Sequence, residues 1–156
     1  MTLFAFAQGE EHAAAEARAV ADGNARAGPV FISGATGPKA ASINGFYVVT
    51  EEKSLDGRLV LSKHGDPNVC VEHRREQWQV KDRSSKGKGE GFAYVAGGCA
   101  LEDCTSRVWR VGTGIGWGDQ PSVRMATGRE AERQVIGGCM RAHAHARDAA
   151  APHLRA

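Results

Sequence analysis

The chain has 156 residues, a formal charge of +2 at pH 7, 24% charged residues and 42% apolar residues. That suits one ordinary domain, or a smaller one with tails, and permits a packed core. The weak positive charge does not by itself argue for nucleic acid, which is an unexpected partner, and no run nears the ~20 apolar residues that cross a bilayer.

The apolar start from Met1 to Ala7 has no basic residues before it and is interrupted by Gln8, Gly9, Glu10 and Glu11, so it does not read as a secretory signal. A cytoplasmic location is expected, with the four cysteines as reduced thiols. Residues 10–27 are alanine with scattered charges. Alanine and glutamate favour helix, but Val20 is the only sizeable apolar residue there, so such a helix has no face to bury. Residues 1–27 are expected to be a helical or frayed linker.

From Pro29 the texture changes to short β-branched and aromatic runs closed by turn residues. The runs are Val30 to Ile32, Phe46 to Val49, Leu59 to Leu61, Val69 to Val71, Trp78 to Val80, Phe92 to Val95, Val108 to Val111 and Ser122 to Met125. Asn44-Gly45, Asp56-Gly57, Gly65-Asp66-Pro67-Asn68 and Gly112-Thr113-Gly114 read as turns. Connections this short exclude parallel crossovers. The expected fold over 28–127 is all-β, an antiparallel sandwich or partly closed barrel of seven or eight short strands. Trp78-x-Val80 and Trp109-x-Val111 form a faint internal echo, which strands produce without any repeat. Thr127 and Glu130 match a capping box, predicting a short helix to Ile136 stopped by Gly137-Gly138. Cys139 to Ala156 is alanine, arginine and histidine with almost no large apolar residue, a composition that predicts disorder.

An ordered set of residues runs Ile43-Asn44-Gly45-Phe46-Tyr47, Gly57-Arg58-Leu59-Val60, Val71-Glu72, Trp78-Gln79-Val80, Ala93-Tyr94, Trp109-Arg110-Val111, Trp117 and Gln120-Pro121-Ser122-Val123. It resembles a small β-rich domain that recurs, sometimes in tandem, in multidomain proteins of algae, oomycetes and other protists. The resemblance covers residues 29–126. It implies an accessory or interaction unit and supplies no catalytic set. Leu61 departs from the pattern, which often has tyrosine there.

Trp78 and Trp109 each share a strand face with the valine two residues on, so both are expected in the core. Core packing is the first expectation for Trp117 too. Its glycine-flanked position also allows an exposed indole, which could stack on a sugar ring, a base or a partner's proline. Gly112-x-Gly114-x-Gly116 and Gly34 to Lys39 lack the spacing of phosphate-binding loops and read as turns. Between His73 and Gly89, six cations including Arg74, Arg75, Lys81, Lys86 and Lys88 face Glu76 and Asp82. This stretch is a candidate surface for a phosphorylated or acidic partner or an RNA backbone, or simply two solvated loops, which is the preferred reading. Its segment Ser84 to Gly89 reads as a mobile loop open to serine phosphorylation.

Cys99-x₄-Cys104 with Cys70 and His73 makes a poor zinc pattern, and Cys139, His143 and His145 lack a second half, so no metal or other cofactor is expected. Cys104 with His73, or His64 beside Asp66, are the residue types a small hydrolase would need, but a β domain of this size leaves little volume for a deep pocket. The preferred expectation is a non-catalytic interaction or scaffolding module that binds a protein partner through loops 84–90 and 112–119, with Trp117, Arg74, Arg75, Lys86 and Lys88 at the surface. The alternatives are a carbohydrate-binding module using Trp117 with Tyr47 or Tyr94, and a small hydrolase.

Overall fold

Alternation of side chains decides which way each strand faces. In the computed structural model, which describes residues 28–97 and 100–137, β1 is Val30–Ser33 and a one-turn helix α1 is Ala40–Ile43. Then come β2 Gly45–Lys53, β3 Leu59–Lys63, β4 Asp66–Arg74, β5 Gln77–Asp82 and β6 Ala93–Ala96. β7 Trp109–Gly112, β8 Trp117–Gln120 and β9 Arg124–Thr127 complete the sheet. Residues 128–137 are helical, where the short C-terminal helix is expected. The linker expected before residue 28 and the tail expected after 138 lie outside the described residues.

The fold is all-β. Nine strands form one sheet in the order β8-β7-β6-β5-β4-β3-β2-β1-β9, and every pairing is antiparallel. The strand beyond the expected eight is β8. Its Trp-Gly-Asp-Gln sequence carries no β-branched run, and the segment read as a loop; pairing with β7 makes it a strand.

The order forces the sheet to curl. Laid flat, nine strands would hold their edges about 38 Å apart, yet Gln120 at the end of β8 is joined to Arg124 at the start of β9 by three residues that reach at most ~14 Å. The sheet is therefore bent into a half-barrel. At the junction the Val123 N–H donates to the Gln120 carbonyl at 3.1 Å. The Gln120 amide also accepts from the Thr36 N–H at 2.9 Å and donates to the Thr36 carbonyl at 3.1 Å, tying the β8–β9 link to the β1–α1 loop. Ser122 Oγ donates to the Gly34 carbonyl at 2.9 Å, and a β-carbon on Gly34 would stand 2.2 Å from the Ser122 carbonyl oxygen.

The concave face carries the core. Val30, Ile32, Tyr47, Leu61, Val71, Trp78, Val80, Val95, Trp109 and Val111 are buried there, and Leu101 and Cys104 from the β6–β7 connection join them. Trp78 with Val80 and Trp109 with Val111 share this face, as their spacing predicts. Tyr47 is also buried, its hydroxyl donating to the Ile43 carbonyl at 2.7 Å, and burial raises its pKa far above the ordinary value. It is no platform for a ligand, which removes one of the two tyrosines considered for sugar binding.

Two turns differ from their sequence signals. Asn44-Gly45 closes no hairpin: Asn44 caps α1, and its side-chain amide makes a two-way bond with the Ala35 backbone at 3.0 and 2.9 Å. The β4–β5 hairpin instead turns at Arg75 and Glu76, both left-handed with φ of 48° and 60°. A two-residue hairpin needs that geometry and usually recruits Asn-Gly for it. Here outside groups hold it. Asp56 Oδ2 accepts from the Arg75 N–H at 3.1 Å, and the Glu76 carbonyl accepts from the Gly97 N–H at 2.7 Å.

Candidate binding site

With Trp78 and Val80 turned into the core, Gln77, Gln79 and Lys81 of β5 must face outward. The strand registers place them in a crowded outer surface. One cross-strand row runs Glu72, Gln79, Tyr94, Arg110 and Asp119 across β4 to β8. Trp117 lies on the same face, opposite Gly112.

The β5–β6 connection, residues 83–91, crosses back over the outer face of β4 and β5 as a strap. Lys81 and Glu72 lie buried beneath it, Nζ donating to Glu72 Oε1 at 2.7 Å and to the Lys88 carbonyl at 2.7 Å. The same Oε1 accepts from the Gly87 N–H at 2.8 Å, and Arg74 Nε donates to the Gly87 carbonyl at 3.0 Å. Glu52 fastens the near end of the strap with Arg83 at 2.5 Å and with Lys86. The Lys86 hydrogen bond, with that of Arg83, holds the Glu52 carboxyl below its ordinary pKa against the opposing effect of burial. Gly91 passes so close to β5 that a β-carbon would stand 3.0 Å from the Val80 carbonyl oxygen. The segment expected to be a mobile loop is thus bonded down along its length.

Between the strap and β8 lies a trough of about 160 Å3, lined by Gln77, Gln79, Gly89, Gly91, Tyr94 and Trp117, with Ala93 behind them. The strap glycines form one wall and the two aromatic rings the other. Trp117 is 42% exposed, so the first expectation for it, core packing, does not hold. Gly112 across the ladder and Gly116 and Gly118 beside it have no side chains to cover it, and the indole stays partly exposed. The rings of Tyr94 and Trp117 meet edge-on at 5.0 Å and 71°. Such a contact occupies one face of one ring at most, and part of the indole stays accessible. Tyr94 is braced by Arg110, whose Nη1 donates to the phenol oxygen at 3.0 Å while its Nε pairs with Asp119 at 2.9 Å.

The floor is amide. Gln79 Nε2 donates to Gln77 Oε1 at 3.2 Å, and Gln79, only 6% exposed, has an Oε1 with no hydrogen-bond partner among the described residues. A buried acceptor left unmet costs ~1–3 kcal/mol.

Of the basic stretch, Lys81 is inside, Arg74 and Lys86 are engaged by the strap and Glu52, and Arg75 and Lys88 are exposed. The structure therefore brings Trp117 to the trough, sets Lys88 beside it on the strap, and uses Arg74 and Lys86 as fasteners. Gln77 and Gln79 escaped attention in the sequence, although the alternation that turns Trp78 inward also turns them outward.

The catalytic and metal candidates are placed as follows. Cys104 is buried in the core with its Sγ 3.7 Å from the Ala100 carbonyl. His73 is buried on the core side of β4, Nδ1 at 2.9 Å from Asp56 Oδ2 and its ring edge-on to Trp78. Burial, assisted by the nearby Arg58 charge, pushes the His73 pKa below its ordinary value despite Asp56. The neutral ring then donates from Nδ1 to Asp56. His64 is exposed in the β3–β4 turn, beside a half-buried Asp66. Cys70 lies three residues before His73, so the two point to opposite faces of β4 and do not share a metal site. Burial pushes the Cys70 thiol up to about 11, far from a reactive thiolate. No cluster of metal-ligating side chains is found among the described residues. Cys99, Cys139, His143 and His145 lie outside them. No helix among the described residues is long and apolar enough to cross a membrane.

Comparison with protein-family models, with curated proteins and with solved structures finds no match for this chain.

Proposed function

We propose that this chain is a non-catalytic binding module whose recognition surface is the outer-face trough between the strap and the Tyr94–Trp117 pair. The observation that carries the reading is convergence. Two segments separated by a whole hairpin, 84–90 and 112–119, supply opposite walls of one cleft over an amide floor. Exposed aromatic groups beside convergent polar side chains are what a binding surface uses, and the surrounding ion pairs hold them in place. The nucleophile candidate Cys104 packs in the core, and His73 is buried against Trp78 on the opposite side of the sheet from the trough, which favours recognition over reaction. A protein partner and a carbohydrate both remain readings of this same surface.

The test is an amide-resolved NMR screen of the full chain against peptide and oligosaccharide mixtures. Shifts should cluster at Gln77, Gln79, Gly89, Tyr94 and Trp117. Shifts clustered elsewhere, or turnover of a screened compound, would overturn the proposal.

A further inference from the structure

We infer that the trough takes one pyranose ring of an oligosaccharide, stacked on the exposed part of the Trp117 indole with its hydroxyls on the Gln77 and Gln79 amides. This inference rests on the trough being the binding surface and names the chemistry of what it binds.

The size of the trough is the first argument. Clefts for drug-sized ligands run about 300–1,000 Å3; at about 160 Å3 this one suits a single six-membered ring whose neighbours in a chain stay outside. Shape is the second. The Tyr94 and Trp117 rings on one side and the backbone of Gly89 and Gly91 on the other bound a slot.

Polarity is the third argument, and it separates sugar from peptide. Grooves for proline-rich segments are lined by aromatic and apolar groups, and strand-adding peptides need an open sheet edge. This trough opens on the outer face of the sheet, although its Trp117 wall belongs to the terminal strand β8, and its floor is two glutamines. Each amide offers both donors and acceptors, which is what a ring of hydroxyl groups requires. The unmet Gln79 Oε1 is a buried acceptor on a side chain that lines the slot, while the Nε2 of the same amide already donates to Gln77 Oε1. A ligand hydroxyl that donates there removes an existing cost.

Charge is the fourth. Arg110 is paired with Asp119, Lys81 with Glu72 and Lys86 with Glu52, so beside the exposed Lys88 of the strap the trough has no run of open cations to track a phosphate backbone.

The experiment is a tryptophan-fluorescence titration of the full chain with a panel of neutral and acidic oligosaccharides, each also run by affinity electrophoresis against the parent polysaccharide. Trp78 and Trp109 are buried, so a ligand-dependent change reports Trp117. At least one oligosaccharide should give a saturable change. Its affinity should fall about tenfold or more in Trp117→Ala and also in Gln77→Ala, with thermal unfolding of both variants near that of the parent. A flat panel by both methods, or binding that survives both substitutions undiminished, would overturn the inference. A phage-displayed peptide library run beside it separates the two readings. Peptides lost in Trp117→Ala with a flat sugar panel leave a binding module that is not a lectin. Silence in both arms removes the binding reading as well.

Discussion

The outer face of the sheet uses charge in opposite ways at its two ends. Under the strap, Lys81 and Glu72 are 0% and 1% exposed, and every polar contact they make fastens the 83–91 segment or the pair itself. At the other end Arg110 and Asp119 are 47% and 68% exposed and lie open on β7 and β8. The first pair has given up its hydration, so the cost of losing one partner is that of an isolated buried charge. The second pair keeps its water and is worth little to the fold. What it does is posture, because Arg110 also holds the Tyr94 hydroxyl. One wall of the trough is thus built by desolvated charge and the other by solvated charge around aromatic rings.

The sharpest way to break this contrast is Lys81→Ala. It strands Glu72 beneath the strap and should cost about 3–5 kcal/mol, seen as a large drop in the urea midpoint. Lys81→Met together with Glu72→Leu should recover most of that, since neither charge then needs a partner. An unmoved midpoint in Lys81→Ala would mean the pair is far wetter than its geometry shows.

His73 and Asp56 are intermediate, one buried and one half-exposed. The folded His73 pKa is depressed while the unfolded chain titrates near ~6.5. Between those values the unfolded state holds the extra proton, so stability rises with pH there. The contribution should be complete above about pH 6.5 and decline as the pH falls below it. Urea midpoints at neutral and mildly acidic pH should show that decline, and His73→Gln should lessen it. An identical slope in the variant would assign the effect to another group.

The smallest effect belongs to Asp119→Asn, expected to change stability by only about 0–1 kcal/mol and less at high salt. Its consequence should appear in ligand affinity through Arg110 and Tyr94. A stability loss as large as that of Lys81→Ala would erase the distinction between the two ends.

Much of the fold was legible in the chain. The Trp78-x-Val80 and Trp109-x-Val111 pairs announced strands with one face inward, because the period of a strand is two and large apolar groups mark the buried side. Asp56-Gly57 marked its hairpin because few residues other than glycine take a left-handed φ, here 78°, without strain. Asn44-Gly45 misled because the same residues also suit the end of a short helix. The Arg75-Glu76 turn was silent because its conformation is imposed from outside, by Asp56 and Gly97. β8 was silent because its strand conformation comes from the β7 ladder and not from its own residues.

The candidate site divides the same way. The exposed Trp117 was one of two readings of its glycine setting, and the outward face of Gln77 and Gln79 followed from Trp78. Nothing local could show that Lys81, one cation among several, would be drawn under a strap. That depends on Glu72 nine residues earlier and on a connection that folds back over both.

By itself, then, the sequence determined an all-β chain of short antiparallel strands, the inward tryptophans and the short terminal helix, because these follow from side-chain period and turn chemistry acting over a few residues. The tertiary structure decided the curl of a single nine-stranded sheet, the burial of Lys81 and the meeting of two distant loops over one row of side chains. Those outcomes depend on strand register and chain closure, which become definite only when the far ends of the sheet are joined.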